Sequence, residues 1–220
     1  APGSAAINLR LKDKAKGVWS KSADLSGGGY ADGMLWAATL QAMYFSKAEQ
    51  HLIRYSGDDL GRGYDVATVH YDASMGDGNQ MVDIVRHNTS PVGNSLFGYH
   101  HGVNLNNLAK LSEHQTLNYN FNYSHQLSHG NSFSQTTYIQ PDDSEVLLSE
   151  DIADRIHTNA ADLQLTYENN ADRLYFNNTL SFSGRWNEGR GSVTSGSQES
   201  GLIRQASHYR SLGLTNKTRM

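Results

Sequence analysis

The sequence predicts an all-β chain, an antiparallel meander of about eight long strands forming an open segment of a transmembrane β-barrel. Three observations lead there. Apolar and polar residues alternate with a period of two over long stretches. The connections between those stretches sort by length, short at one end and long at the other. Aromatic residues gather near the strand ends.

In order along the chain, strands are expected at residues 17–29, 34–45, 50–57, 101–111, 115–129, 158–169, 172–187 and 207–219. In the second, Met34, Trp36, Ala38, Leu40, Ala42 and Tyr44 form one face. In the fifth, Leu117, Tyr119, Phe121 and Tyr123 alternate with Asn118, Asn120, Asn122 and Ser124. Successive side chains of a strand point to opposite faces, so this segment has one apolar and one amide/hydroxyl face. The sixth repeats the pattern, with Ala161, Leu163, Leu165 and Tyr167 against Asp162, Gln164, Thr166 and Glu168. The seventh sets Leu174, Phe176, Leu180 and Phe182 against Arg173, Tyr175, Asn177, Thr179 and Ser181. Helical spacing fits none of these segments as well.

Composition removes other classes. Of 220 residues, 37% are apolar, 18% charged and 10% aromatic, with 3 Pro. Disordered chains lack aromatics and are rich in charge or Pro. The 21 Gly follow no three-residue period, which excludes collagen-like order. A net charge of −4 with scattered Lys and Arg gives no nucleic-acid surface, so no nucleic-acid partner is expected. No apolar run reaches the length of a transmembrane helix. A membrane strand, however, needs only about 9–11 residues with every second one apolar. Such strands are compatible with the mean hydropathy of −0.60. Cysteine is absent, and with it disulfides, thiol nucleophiles and thiolate metal sites.

Short polar connections fall at Ser46–Gln50, Ser112–Gln115 and Asn169–Asp172. Long irregular stretches are expected near Ser56–His100, His129–Thr158 and Asn187–Ser207, and one short hairpin near Tyr30–Gly33. Consecutive turns of a meander fall on opposite ends of the sheet, so short turns collect at one end and long loops at the other. That is the layout of outer-membrane barrels. Soluble sandwiches also alternate, but their strands run about 5–6 residues and their loops are not sorted by end. Trp19, Trp36, Tyr44, Tyr55, Tyr167 and Trp186 suit interfacial girdles.

Ala5-Ala6-Ile7-Asn8-Leu9-Arg10-Leu11-Lys12 resembles the last plug strand of TonB-dependent outer-membrane receptors. Lys16–Ser20 through Gly27–Tyr30 resembles their first barrel strand and Met34–Tyr44 their second; Ser132–Tyr138 and Asn177–Phe182 fit the same barrel. The resemblance extends to the subgroup with a carboxypeptidase-like regulatory domain and covers essentially the whole chain through diffuse motifs. It implies that residues 1–15 end a plug domain and link to the barrel, and that residues 16–220 are the N-terminal part of a truncated barrel. The chain begins at Ala1 and stops at Met220 inside a strand-like stretch, so it is expected to be a piece of a longer protein. The TonB-contacting parts and the remainder of a barrel of about 22 strands would lie outside it.

Enzyme signatures are not found: no His-Glu-x-x-His, no Gly-x-Ser-x-Gly, no P-loop Lys. Gly27, Gly28 and Gly29 are followed by Asp32 where a dinucleotide fingerprint needs its third Gly, and are read as a bend at the rim. His100 and His101 are adjacent and point apart; His125 and His129 are four residues apart, about 13 Å on a strand, too far to share one ion. The acidic stretch Asp142-Asp143-Ser144-Glu145, with Glu150, Asp151 and Asp154, has carboxylates that suit Ca²⁺ or a cationic substrate. Like Asp72–Asn79, it matches no EF-hand and reads as a solvated loop. The sequons at Asn88, Asn122 and Asn177 carry no meaning in a bacterial outer membrane.

No catalytic, cofactor-binding or metal residue is therefore assigned, and the sequence does not identify substrate-binding residues. The resemblance implies a receptor in the cell outer membrane that binds a metal chelate or an oligosaccharide at its extracellular loops and imports it, powered through TonB. Asn118, Asn120, Asn122, Gln164, Thr166, Asn177 and Thr179 would face plug and water. Leu117, Tyr119, Phe121, Leu163, Leu165, Leu174 and Phe176 would face lipid. The rivals are an outer-membrane enzyme pairing Asp58-Asp59 with His125, and a surface adhesin or secreted β-sandwich.

Overall fold

The computed structural model describes residues 17–30, 33–60, 97–142, 144–171, 174–196 and 201–220. Eight strands follow in chain order: β1 (Val18–Tyr30), β2 (Gly33–Phe45), β3 (Glu49–Asp58), β4 (Phe97–Lys110), β5 (Gln115–Ile139), β6 (Glu145–Ala171), β7 (Leu174–Gly196) and β8 (Gly201–Arg219). Each pairs antiparallel with its sequence neighbours in one sheet, ordered β1 to β8. The sheet does not close, and among the described residues there is no helix. The expected open meander is the fold found.

Register keeps the alternation in phase across the whole sheet. Lys21, Ala42, Ile53, Leu105, Phe121, Leu163, Phe182 and Leu214 stand opposite one another in a single row. A slip of one residue in any pair would turn that strand's apolar set to the other face. Two of the turns are built by their own hydroxyls. Ser46 Oγ accepts from the backbone of Ala48 and Glu49 and donates to the Glu49 carbonyl. Ser112 Oγ accepts from His114 N. Such side-chain bonds stand in for ladder bonds where the chain reverses.

The long end corrects the sequence reading. Residues 130–139, 145–157, 188–196 and 201–206, expected as irregular loop, continue β5, β6, β7 and β8 as regular ladder. Ile139 still pairs with Glu145, and Gln140 N donates to the Ser144 carbonyl at the tip. The strands therefore reach 25, 27, 23 and 19 residues. Backbone pairing needs no apolar face, so a ribbon wetted on both sides carries none of the alternation that marks a half-buried strand. β3 starts at Glu49 and β4 at Phe97, slightly earlier than expected. Residues 1–15, with their plug assignment, and most of the β3–β4 connection lie outside the described residues.

Among the described residues almost no apolar core exists. Leu127, Ile156 and Val193 are the buried apolar residues, against 22 exposed large ones among the described residues. A soluble chain of this length would bury most of its Leu, Ile and Phe. Burial instead follows the polar face: of the six buried polar groups, Asp58, His100, Asn104, Asp154 and Asn187 lie there. A sheet curled with that face inside crowds those side chains and splays the apolar ones outward.

Candidate functional site

The site is a pair of surfaces on one sheet. The outward face carries all seven residues expected to meet lipid, and the inner face carries all seven expected to meet plug and water. All six aromatics assigned to girdles are also outward.

These aromatics form two lines. Toward the short turns, Trp19 packs on Tyr44 with ring centroids 5.0 Å apart, and Tyr167 on Phe176 at 6.1 Å. Toward the long end, Tyr123 stacks on Trp186 at 6.2 Å. Trp36, Tyr55 and Tyr99 surround His101 there, at 5.8, 6.1 and 5.4 Å. Gly57 stands directly opposite His101, and the rings of Trp36 and Tyr55 occupy the space a Cβ would need. Between the lines run Ile53, Leu105, Phe121, Leu163, Phe182 and Leu214. Along β2, Trp36 to Tyr44 spans about 27 Å at ~3.4 Å per residue. A strand tilt of about 45° turns this into roughly 19 Å of height, close to the ~25 Å apolar band of a membrane barrel.

The band slants across the ladder. Tyr44 ends it on β2 and shares a row with Leu180 of β7, yet on β7 the outward face continues through Phe176 to Leu174. Strands tilted to a barrel axis would produce this, because a level line would then cross the ladder diagonally.

The inner face is polar and internally bonded. Arg185, on the sheet row of Ala160 and Ser211, donates from both terminal nitrogens to Asp162 on the neighbouring inward row, at 2.9 and 3.1 Å. Asn104 Nδ2 donates to Asn122 Oδ1. Thr166 and Thr179 join their hydroxyls at 3.3 Å. Asp58 and His100, both under 10% exposed, lie 3.3 Å apart. Arg54 Nε and Asn118 Oδ1 are shielded and have no hydrogen-bond partner among the described residues. The Asp162–Arg185 and Asp58–His100 pairs join different strands, so only a known register reveals them.

The rival catalytic grouping is not brought together. Asp58 is inward with His100, whereas Asp59 accepts from Trp36 N at 2.6 Å and so fastens the β3 end. His125 is outward and bonded to Asn159 at 2.7 Å. His100 and His101 do point apart, as expected. Gly27, Gly28 and Gly29 pair with Trp36, Leu35 and Met34 as part of β1. The acidic stretch also divides. Asp142 accepts from Ser144 N and Oγ at the hairpin tip, and these bonds, the hydroxyl's first, hold its carboxyl below the usual range. Glu145 and Asp151 then point outward while Glu150 and Asp154 point inward. Among the described residues no three His, Asp or Glu side chains converge to hold a metal ion. The stretch Asp72–Asn79 is outside those residues.

No protein-family model, curated protein or solved structure matches the chain.

Proposed function

We propose that this chain is the N-terminal part of the barrel of a TonB-dependent receptor in the cell outer membrane. The intact receptor binds a metal chelate or an oligosaccharide at its extracellular loops. It admits that ligand through a plugged lumen, driven through TonB, and none of the residues named above makes or breaks a bond. One observation carries the membrane reading: a single sheet of eight strands holds every girdle aromatic on one face, in register, and among the described residues no second layer lies over it. An apolar face of that extent, with Trp19 57% and Leu212 79% exposed, calls for a covering solvent other than water. The inner amides and the shielded Arg54 Nε suit a wall that meets water and a polar plug. The TonB assignment and the choice of ligand class rest on the sequence resemblance alone.

Fractionation tests it. The intact protein should sediment with the outer membrane and change its gel mobility on heating, as closed barrels do. Its gene should encode a plug upstream and about fourteen further strands downstream. Recovery from the soluble fraction without detergent would overturn the reading.

A further inference from the structure

Beyond the long-end aromatic line the outward face becomes cationic. His129, Arg155 and Arg190 stand in one row, with Leu127, His157, Glu188 and His208 in the row beneath. Arg210 stands opposite Trp186, at the aromatic line itself. We propose that these outward rows of β5–β8, built on Arg155, Arg190 and Arg210, bind the phosphate groups of membrane-lipid headgroups. The inference rests on the lipid-facing reading of the band below.

Height, sidedness and local electrostatics all favour it. Arg190 is four residues past Trp186, about 14 Å along the strand at ~3.4 Å per residue. At a tilt of about 45° that is roughly 10 Å above the aromatics, and the headgroup layer occupies the first ~5–8 Å there. An Arg stem reaches back across that difference while its guanidinium stays polar. The charge is also one-sided. At the same two levels the inner face presents Ser128, Ile156, Gly189 and Ser207, then Gly130, Asp154, Gly191 and Gln205. A ribbon merely kept soluble would have no reason to place its arginines on one face.

Arg155 is directly opposite Arg190, and His129 directly opposite Arg155. The two guanidinium groups, so placed, oppose sheet pairing. The acid in these rows, Glu188, takes Arg190 at 2.7 Å, which leaves Arg155 and Arg210 as net positive charge. Arg155, His208 and Arg210 are exposed, so their heads are accessible. A phosphate set against Arg155 would relieve that repulsion and accept paired N–H donors from its guanidinium, while Arg190, held through Nε and Nη2 by Glu188, adds a donor from Nη1.

The test uses the intact protein, inserted into vesicles of phosphatidylcholine with and without phosphatidic acid, and counts lipid retained per protein after detergent exchange. Wild type should enrich phosphatidic acid. Arg155→Gln/Arg190→Gln should retain roughly tenfold less. Lys217→Gln, which removes a charge from the inner face, should match wild type. Insertion of all three, followed by flotation, shows that each has folded. Retention by the double variant equal to wild type overturns the inference, as does an equal loss in Lys217→Gln. If wild type inserts but shows no preference, the headgroup assignment alone falls. If it does not insert, the membrane reading falls and this inference with it.

Discussion

Two regions of β5–β7 share one backbone ladder and differ in nearly everything else. Toward the short turns, Leu117, Phe121, Leu163 and Phe182 fill alternate positions on the outward face. From the row of Asn159 and Trp186 onward the same strands present His125, His129, Arg155 and Arg190 outward and Ser128, Gly130 and Gly189 inward. The hydrogen-bonded register does not change between them. Pairing is therefore a property of the backbone, and side-chain pattern reports only what lies against each face. An apolar/polar alternation marks a strand between two unlike media, and a ribbon surrounded by water shows no such mark.

The largest effect should come from charging the first region. Phe121→Arg or Leu163→Arg, at mid-band on the outward face, should cost about 2–4 kcal/mol and lower the yield of heat-modifiable barrel in the intact protein. Asn120→Arg and Gln164→Arg, on the inner face of the same strands, should assemble nearly as well as wild type. Equal damage from both sets would point to two dry faces and erase the distinction drawn here.

Breaking the inner wall comes next. Asp162→Ala leaves Arg185 without its two carboxylate bonds, and a loss of about 1.5–3 kcal/mol is expected in chemical denaturation. Gly98→Ala should be comparable, about 1–3 kcal/mol, because a Cβ there collides with the Leu127 carbonyl. An unchanged midpoint for Gly98→Ala would show that β4 and β5 are less closely apposed at that rung.

The smallest effect belongs to the second region. Replacing residues 134–150 by a short turn from Phe133 to Asp151, which pair directly, should alter assembly by less than about 1 kcal/mol. Ala153→Arg, outward but beyond the aromatics, should be similarly mild, about 0–1 kcal/mol. A severe defect from either would mean that the long ribbons support the band rather than merely extend from it.

This difference also explains what the sequence revealed. Strand number, the two faces and the shared outward face of Trp19, Trp36, Tyr44, Tyr55, Tyr167 and Trp186 were legible, because each depends on period-two contrast. The ends of β5–β8 were not, since Asn131–Ile139 and Glu145–Ile156 mix polar and apolar residues on both faces. The outward Arg and His rows and the Asp162–Arg185 pair were missed for a related reason. They assemble residues from separate strands, and composition along one strand says nothing of register. A clue was present in His125-x-x-x-His129 and Arg155-x-His157, whose spacing places each set on one strand face.

The central claim is that one face of this sheet meets lipid and the other meets water. The chain has no cysteine, so single cysteines can be introduced from Leu117 to Asn131 in the reconstituted intact protein and spin-labelled one at a time. Collision with oxygen, which concentrates in lipid, is compared with collision with a water-soluble nickel complex. The account predicts oxygen-dominated collisions at 117, 119, 121 and 123 and nickel-dominated collisions at 118, 120, 122 and 124. Past His129 the odd positions should become nickel-accessible, as the strand leaves the membrane. Odd positions shielded from both reagents, as between two packed sheets, or open to nickel along their whole length, would contradict it.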